Sequence, residues 1–136
     1  MREILFRGKR EEDGGWIYGL YSDDYVYDTD FPCIVPLRSG AIDDSWAVIR
    51  DTVGQYTGLT DKNGKKIFEG DIVNVAYNPK YTGISKDRIG NFEVVFNNGC
   101  FMKGSIQNNG LYHFIPSDET TVIGNIHDNP ELLKSL

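Results

Sequence analysis

The sequence predicts a mainly β protein, and three observations carry that prediction. Fifteen of the 136 residues are glycine, and most stand between short apolar runs, the punctuation of a chain with many turns. Two Asn-Gly pairs, Asn63-Gly64 and Asn98-Gly99, each separate two such runs, which is the strongest short-range hairpin signal. Phe92, Val94 and Phe96 alternate with polar or smaller neighbours, as a half-buried strand requires. The length suits one domain spanning residues 1–136. A chain of this size needs neither metal nor disulfide to bury a core.

Taken in order, Ile4 to Phe6 reads as a first strand, with Arg7, Lys9 and Arg10 leading into a polar loop. Glu12-Asp13-Gly14-Gly15 is turn chemistry, and Trp16–Tyr21 follows as an aromatic-rich second strand that completes a hairpin. In residues 22–45, acids alternate with aromatic residues; short strands are expected at Tyr25–Tyr27 and Cys33–Val35, with no register fixed. Trp46–Ile49 leads into a strand over Val53–Leu59. The first Asn-Gly pair is expected to form a type I′ turn, which needs positive φ at both central residues. Ile67 and Phe68 resume the strand, and Gly70 allows a sharp corner before Ile72, Val73 and Val75. Residues 78–90 read as a basic loop. Strands follow at Phe92–Phe96, Cys100–Met102, Leu111–Ile115 and Thr121–Asn125. Asn129 as N-cap, Pro130 at the first position and Glu131 near the positive end predict a short C-terminal helix with Leu132, Leu133 and Leu136 on its apolar side.

Net charge is −6, with five more acidic than basic groups in residues 1–60 and one more in residues 61–136. Nonspecific nucleic-acid binding draws its free energy from Lys and Arg neutralising phosphates, so this balance disfavours it and leaves only a local basic patch. The opening MREILFRGKR has no apolar stretch of signal-peptide length, and no apolar run approaches a membrane span, so a cytoplasmic location is expected. Cys33 and Cys100 form no CxxC pair and are expected as free thiols.

The candidate chemical motifs have stronger bland readings. A calcium loop starting at Asp61 would need a ligand at its fifth position and Glu at its twelfth; Lys65 and Ile72 stand there, so a hairpin turn is expected. His113 and His127 lack ligand-spaced partners, which argues against zinc. His127 and Asp128 are adjacent, so on a strand they face opposite ways and make a poor acid–base pair; Asp128 is expected to favour the helix start. Glu69 and Asp71, two apart, are expected to be solvated charges beside a turn rather than a glycosidase pair. No nucleophile elbow, P-loop or dinucleotide fingerprint is present. The aromatic residues Trp16, Tyr18, Tyr21, Tyr25, Tyr27, Trp46 and Tyr56 crowd the first half, and most are expected to be core.

Four segments together resemble the YopX family, found mostly in bacteriophages and prophages and without an established biochemical role. They are Ile4–Arg7, then residues 55–64 (QYTGLTDKNG), residues 67–73 (IFEGDIV), and residues 122–133 (VIGNIHDNPELL). The resemblance spans nearly the whole chain. It implies an SH3-type barrel over residues 54–136, preceded by further β structure over residues 1–53, in a phage or prophage product acting inside a bacterium. It carries over no catalytic residues. The position of His127 often holds another aromatic residue in the family, which implies packing there.

The expected activity is therefore that of a small non-catalytic module, without cofactor, that binds a host or phage protein. Its expected contact surface joins Tyr25, Tyr27 and Asp28 to Tyr77, Lys80, Tyr81, Lys86 and Arg88. The alternatives are a nucleic-acid-binding SH3-like module, in which Lys80, Lys86 and Arg88 flank stacking Tyr77 and Tyr81, and a hydrolase built on His127 or Glu69 in a pocket. A homo-oligomeric structural component is a further possibility.

Overall fold

In the computed structural model, which describes residues 3–22, 32–36, 45–80, 83, 85–115 and 119–134, the N-terminal hairpin sets the frame of the first unit. β1 (Phe6–Lys9) pairs antiparallel with β2 (Trp16–Ser22) in a register that opposes Phe6 to Gly19 and Lys9 to Trp16. The connecting turn is held by Asp13, whose carboxylate accepts the Gly15 N–H at 3.0 Å and Arg10 Nε at 2.8 Å. β1 starts later and runs further than the expected Ile4–Phe6: Arg7 and Lys9 belong to the strand rather than to a loop. Their alternation places them on the face that also carries Trp16, where the Arg7 guanidinium sits 4.7 Å from the indole centroid.

β3 (Cys33–Pro36) pairs with β2, and β4 (Trp46–Ala47) with β3. The expected strand at Cys33–Val35 is present; the one at Tyr25–Tyr27 lies outside the described residues. The Trp46–Ile49 strand is shorter than expected. After Ala47 the chain makes a single bridge, Val48 to Arg10, then a 3₁₀ turn at Arg50–Thr52. Thr52 explains the turn, since its hydroxyl donates to the Ile49 carbonyl at 2.6 Å and accepts the Lys9 N–H at 2.9 Å. Ile17, Ile34 and Val48 form the buried core of this unit, with Phe6, Tyr21, Trp46 and Val53 packed against it. Of the crowded aromatic residues, Tyr56 is buried, Trp16, Tyr21 and Trp46 are half-buried, and Tyr18 is exposed.

The chain divides at Gly58 and Leu59, and the boundary falls inside β5 (Gly54–Thr60). The strand order of the first sheet is β4-β3-β2-β1-β5-β6, where β6 is Lys66–Phe68. The second sheet has the order β10-β9-β8-β7-β11, made from β7 (Asp71–Ala76), β8 (Gly90–Asn97), β9 (Cys100–Ser105), β10 (Leu111–Tyr112) and β11 (Glu119–Asn125). The protein is thus mainly β, with two antiparallel sheets. Among the described residues the strand pairing does not close into a cylinder. The core of the second unit is Ile67, Val73, Val75, Phe92 and Val94, with Tyr112, Phe114 and Val122 against it.

The two Asn-Gly pairs make different turns. At the second, Asn98 (φ 50°) and Gly99 (φ 83°) are both left-handed, and Asn97 pairs with Cys100, so the loop has the two-residue I′ form. At the first, only Gly64 is left-handed (φ 84°). The Gly64 N–H donates to the Asp61 carbonyl at 3.0 Å, and the Asp61 N–H donates to the Lys65 carbonyl at 2.7 Å. This is a type I turn followed by a glycine bulge, not the expected I′ turn. The reason is Asp61, whose Oδ1 accepts the N–H groups of Asn63 and Lys65, both at 2.9 Å, and so stabilises a right-handed conformation at the two central residues.

Two further expectations are corrected. Asp71 is not solvated: it is 2% exposed, and its Oδ2 accepts the Phe68 N–H at 2.7 Å, closing the Glu69-Gly70 corner where Gly70 has φ 91°. The C-terminal segment makes one 3₁₀ turn, Pro130–Leu133, rather than an α-helix. Asn129 does not cap it, because its Oδ1 instead accepts the Asn125 N–H at 3.2 Å. Asp128 likewise turns back, accepting the Asn125 side-chain amide at 3.2 Å. No helix among the described residues is long and apolar enough to cross a membrane.

Candidate functional site

The hairpin after β5 does more than reverse the chain. Asp61 Oδ2 accepts the Val122 N–H of β11 at 3.0 Å, and the Lys62 N–H donates to the Thr120 carbonyl at 3.0 Å. One side chain and one peptide group therefore tie the turn to the second sheet's edge strand. Burial pushes the Asp61 carboxyl up, but the N–H donors of Val122, Lys65 and Asn63 and the charge of Lys65 outweigh it and hold the carboxyl below the ordinary range.

This tie frames a cavity of about 460 Å³ in the second unit. Its apolar wall is Leu59, Ile67, Phe114 and Ile115; Thr60, Asp61, Lys62 and Thr120 supply the polar part. Ile67 is 1% exposed and belongs to the core, whereas Leu59 and Ile115 are 43% and 38% exposed. The Thr120 hydroxyl is buried and has no hydrogen-bond partner among the described residues. A second depression of about 330 Å³ is lined by Glu93, Ser105, Asn109 and Leu133, among others. Burial, with the charge of Glu69 behind it, pushes the Glu93 carboxyl up.

The residues singled out in the sequence are placed as follows. Tyr77 is 65% exposed just after β7, and Lys80 and Lys86 are exposed. Lys86 opens a 3₁₀ turn, Lys86–Arg88, whose preceding Ser85 hydroxyl accepts the Asp87 N–H at 3.3 Å. Arg88 ends that turn half-buried: its Nη2 donates to the His113 carbonyl at 2.8 Å, and its guanidinium lies 5.4 Å from the Tyr112 centroid. A structural bond and an aromatic face thus occupy the group assigned to a stacking surface. Tyr25, Tyr27, Asp28 and Tyr81 lie outside the described residues. His113 is exposed, and His127 is half-buried with its N–H on Asn125 Oδ1 at 3.0 Å. Among the described residues, no three His, Cys, Asp or Glu side chains cluster as a metal site.

Sequence reading missed Lys103, which is fully buried with its Nζ 5.2 Å from the Phe92 centroid and 5.5 Å from that of Phe114. The signal was available. A two-residue loop at Asn98-Gly99 opposes Val94 to Lys103, and directly opposed residues share a face.

The comparisons with known proteins agree with this architecture. The family described as YopX protein matches residues 5–134, and the chain belongs to the YopX family. A solved structure described as the crystal structure of protein EF1440 from Enterococcus faecalis is 27% identical, with a TM-score of 0.54, over 98% of this chain and all of that one. No curated protein matches the sequence.

Proposed function

We propose that this YopX-family protein is a small non-catalytic module that binds another protein inside a bacterial cell, as a phage or prophage product. The observation that carries this reading is apolar surface presented by the second unit. Phe96 is 54% exposed and stacks edge-on against Phe101 at 5.0 Å next to the β8–β9 turn, and Tyr77 stands out after β7. Large aromatic side chains held outward on ordered strands are what protein interfaces use as anchors. The second unit is best understood as a partly open small barrel of the SH3 kind. The main-chain bond from Lys62 to Thr120, which carries the hairpin onto β11, supports that reading.

The test is recovery of partners from bacterial lysate on the tagged protein, with and without nuclease. A stoichiometric protein that survives nuclease and is lost with Phe96→Asp is expected. Recovery that vanishes with nuclease would replace this reading with nucleic-acid binding.

A further inference from the structure

The cavity beside the Asp61 hairpin combines three features that together define an occupant. Its wall is apolar and continuous with the core, through Ile67 and Phe114, while Leu59 and Ile115 carry the same apolar character outward to solvent. A concavity of about 460 Å³ with such a lining suits one large apolar side chain and the backbone that bears it. The charge is the third feature. Among the described residues Asp61 is the only acid in the wall, and its carboxylate is engaged by the N–H groups of Asn63, Lys65 and Val122. Lys62, exposed on the same wall, makes no ion pair with any described residue. In a protein of net charge −6, the described part of this wall therefore presents a cation beside an apolar hollow.

We infer that this cavity is a recognition pocket of the module in addition to the aromatic surface at Phe96, and that it takes a peptide segment with one large apolar side chain next to a carboxylate. The inference rests on the binding-module reading above. The apolar side chain fills the hollow between Leu59, Ile67, Phe114 and Ile115. The neighbouring Asp or Glu of the partner faces the Lys62 ammonium. Apolar burial supplies the affinity, and the charge selects the sequence and speeds encounter.

The experiment is selection of a random ten-residue peptide library on the full chain, in parallel with Lys62→Glu and Leu59→Asp, two substitutions at exposed positions whose folding is checked by thermal denaturation. Enriched peptides should share Phe, Trp, Leu or Met within two residues of Asp or Glu. Replacing that apolar residue by Ala should weaken binding about thirtyfold or more. Lys62→Glu should weaken it about tenfold, less so in high salt. Amide shifts on titrating a selected peptide should centre on residues 59–62, 67, 114–115 and 120. No enrichment on the wild type overturns the proposal, as does enrichment without the apolar–acid pair or binding that both variants retain. A host protein that is recovered in the lysate experiment and still binds both variants would overturn the pocket alone. Absence of any protein partner there would instead sink the module reading.

Discussion

Asp61 is held ionised inside the second unit, and that gives it a distinct signature in acid. Its folded carboxyl titrates below the ordinary value of 3.8, so its contribution to stability is complete above the ordinary carboxylate range and is lost as pH falls through the lowered value. Asp61→Asn keeps the shape and removes the charge that three N–H donors share. It is expected to cost about 2 kcal/mol at neutral pH, with the gap to wild type narrowing in acid; urea denaturation across pH measures both. A gap that stays constant would show that Asp61 acts through shape alone. Glu93 should behave in the opposite sense. Burial, then Glu69, raises its carboxyl above 4.5, so the stability it contributes is complete below the ordinary value and declines as pH rises through the raised one. Glu93→Gln is therefore expected to be more stable than wild type at neutral pH and equal to it in acid. A destabilised Glu93→Gln protein would refute the direction.

The two hairpins make the argument at the scale of elements. Their tetrapeptides share Asn-Gly, yet one places Asn in the left-handed region and the other does not. Asn98→Ala is expected to cost about 1 kcal/mol, because alanine pays the left-handed penalty that asparagine largely avoids. Asn63→Ala, at a position with negative φ, is expected to change stability by only a few tenths of a kcal/mol. Thermal melts of the pair distinguish these outcomes, and equal losses would mean the turns are the same. Much of the strand plan was legible because hairpin signals and alternation act over a few residues. β2, β3, β7, β8 and β9 stand close to where Trp16–Tyr21, Cys33–Val35, Ile72–Val75, Phe92–Phe96 and Cys100–Met102 placed them. What was not legible depends on distant partners. Asp61 overrode the type of its own turn in company with β11. Asn125 drew Asn129 away from capping. Nor was the engagement of Arg88 readable, because its partners, the Tyr112 ring in β10 and the His113 carbonyl just after it, stand about 25 residues away. The cavity left no local trace in the sequence, since its walls come from β5, β6, β11 and the segment after β10.

For the whole molecule, charge and thiols give accessible readouts. An excess of six acidic groups should keep the protein from binding single-stranded DNA appreciably even at low salt, which fluorescence anisotropy of a labelled oligonucleotide checks. Tight, steeply salt-dependent binding would reveal a local basic patch strong enough to overcome the net charge. The two cysteines lie in different units and different surroundings. Cys100 is exposed beside the tip of the β8–β9 hairpin, while Cys33 in β3 is 3% exposed. A small thiol reagent will therefore modify Cys100 at once and Cys33 only when the first unit opens. With Cys100 replaced by serine, the remaining reaction becomes a clock for that opening, and its slowing relative to the unfolded chain reads the local opening free energy directly. The chain thus carries its own chemical stopwatch, a native thiol in the sheet that holds Trp16 and Trp46.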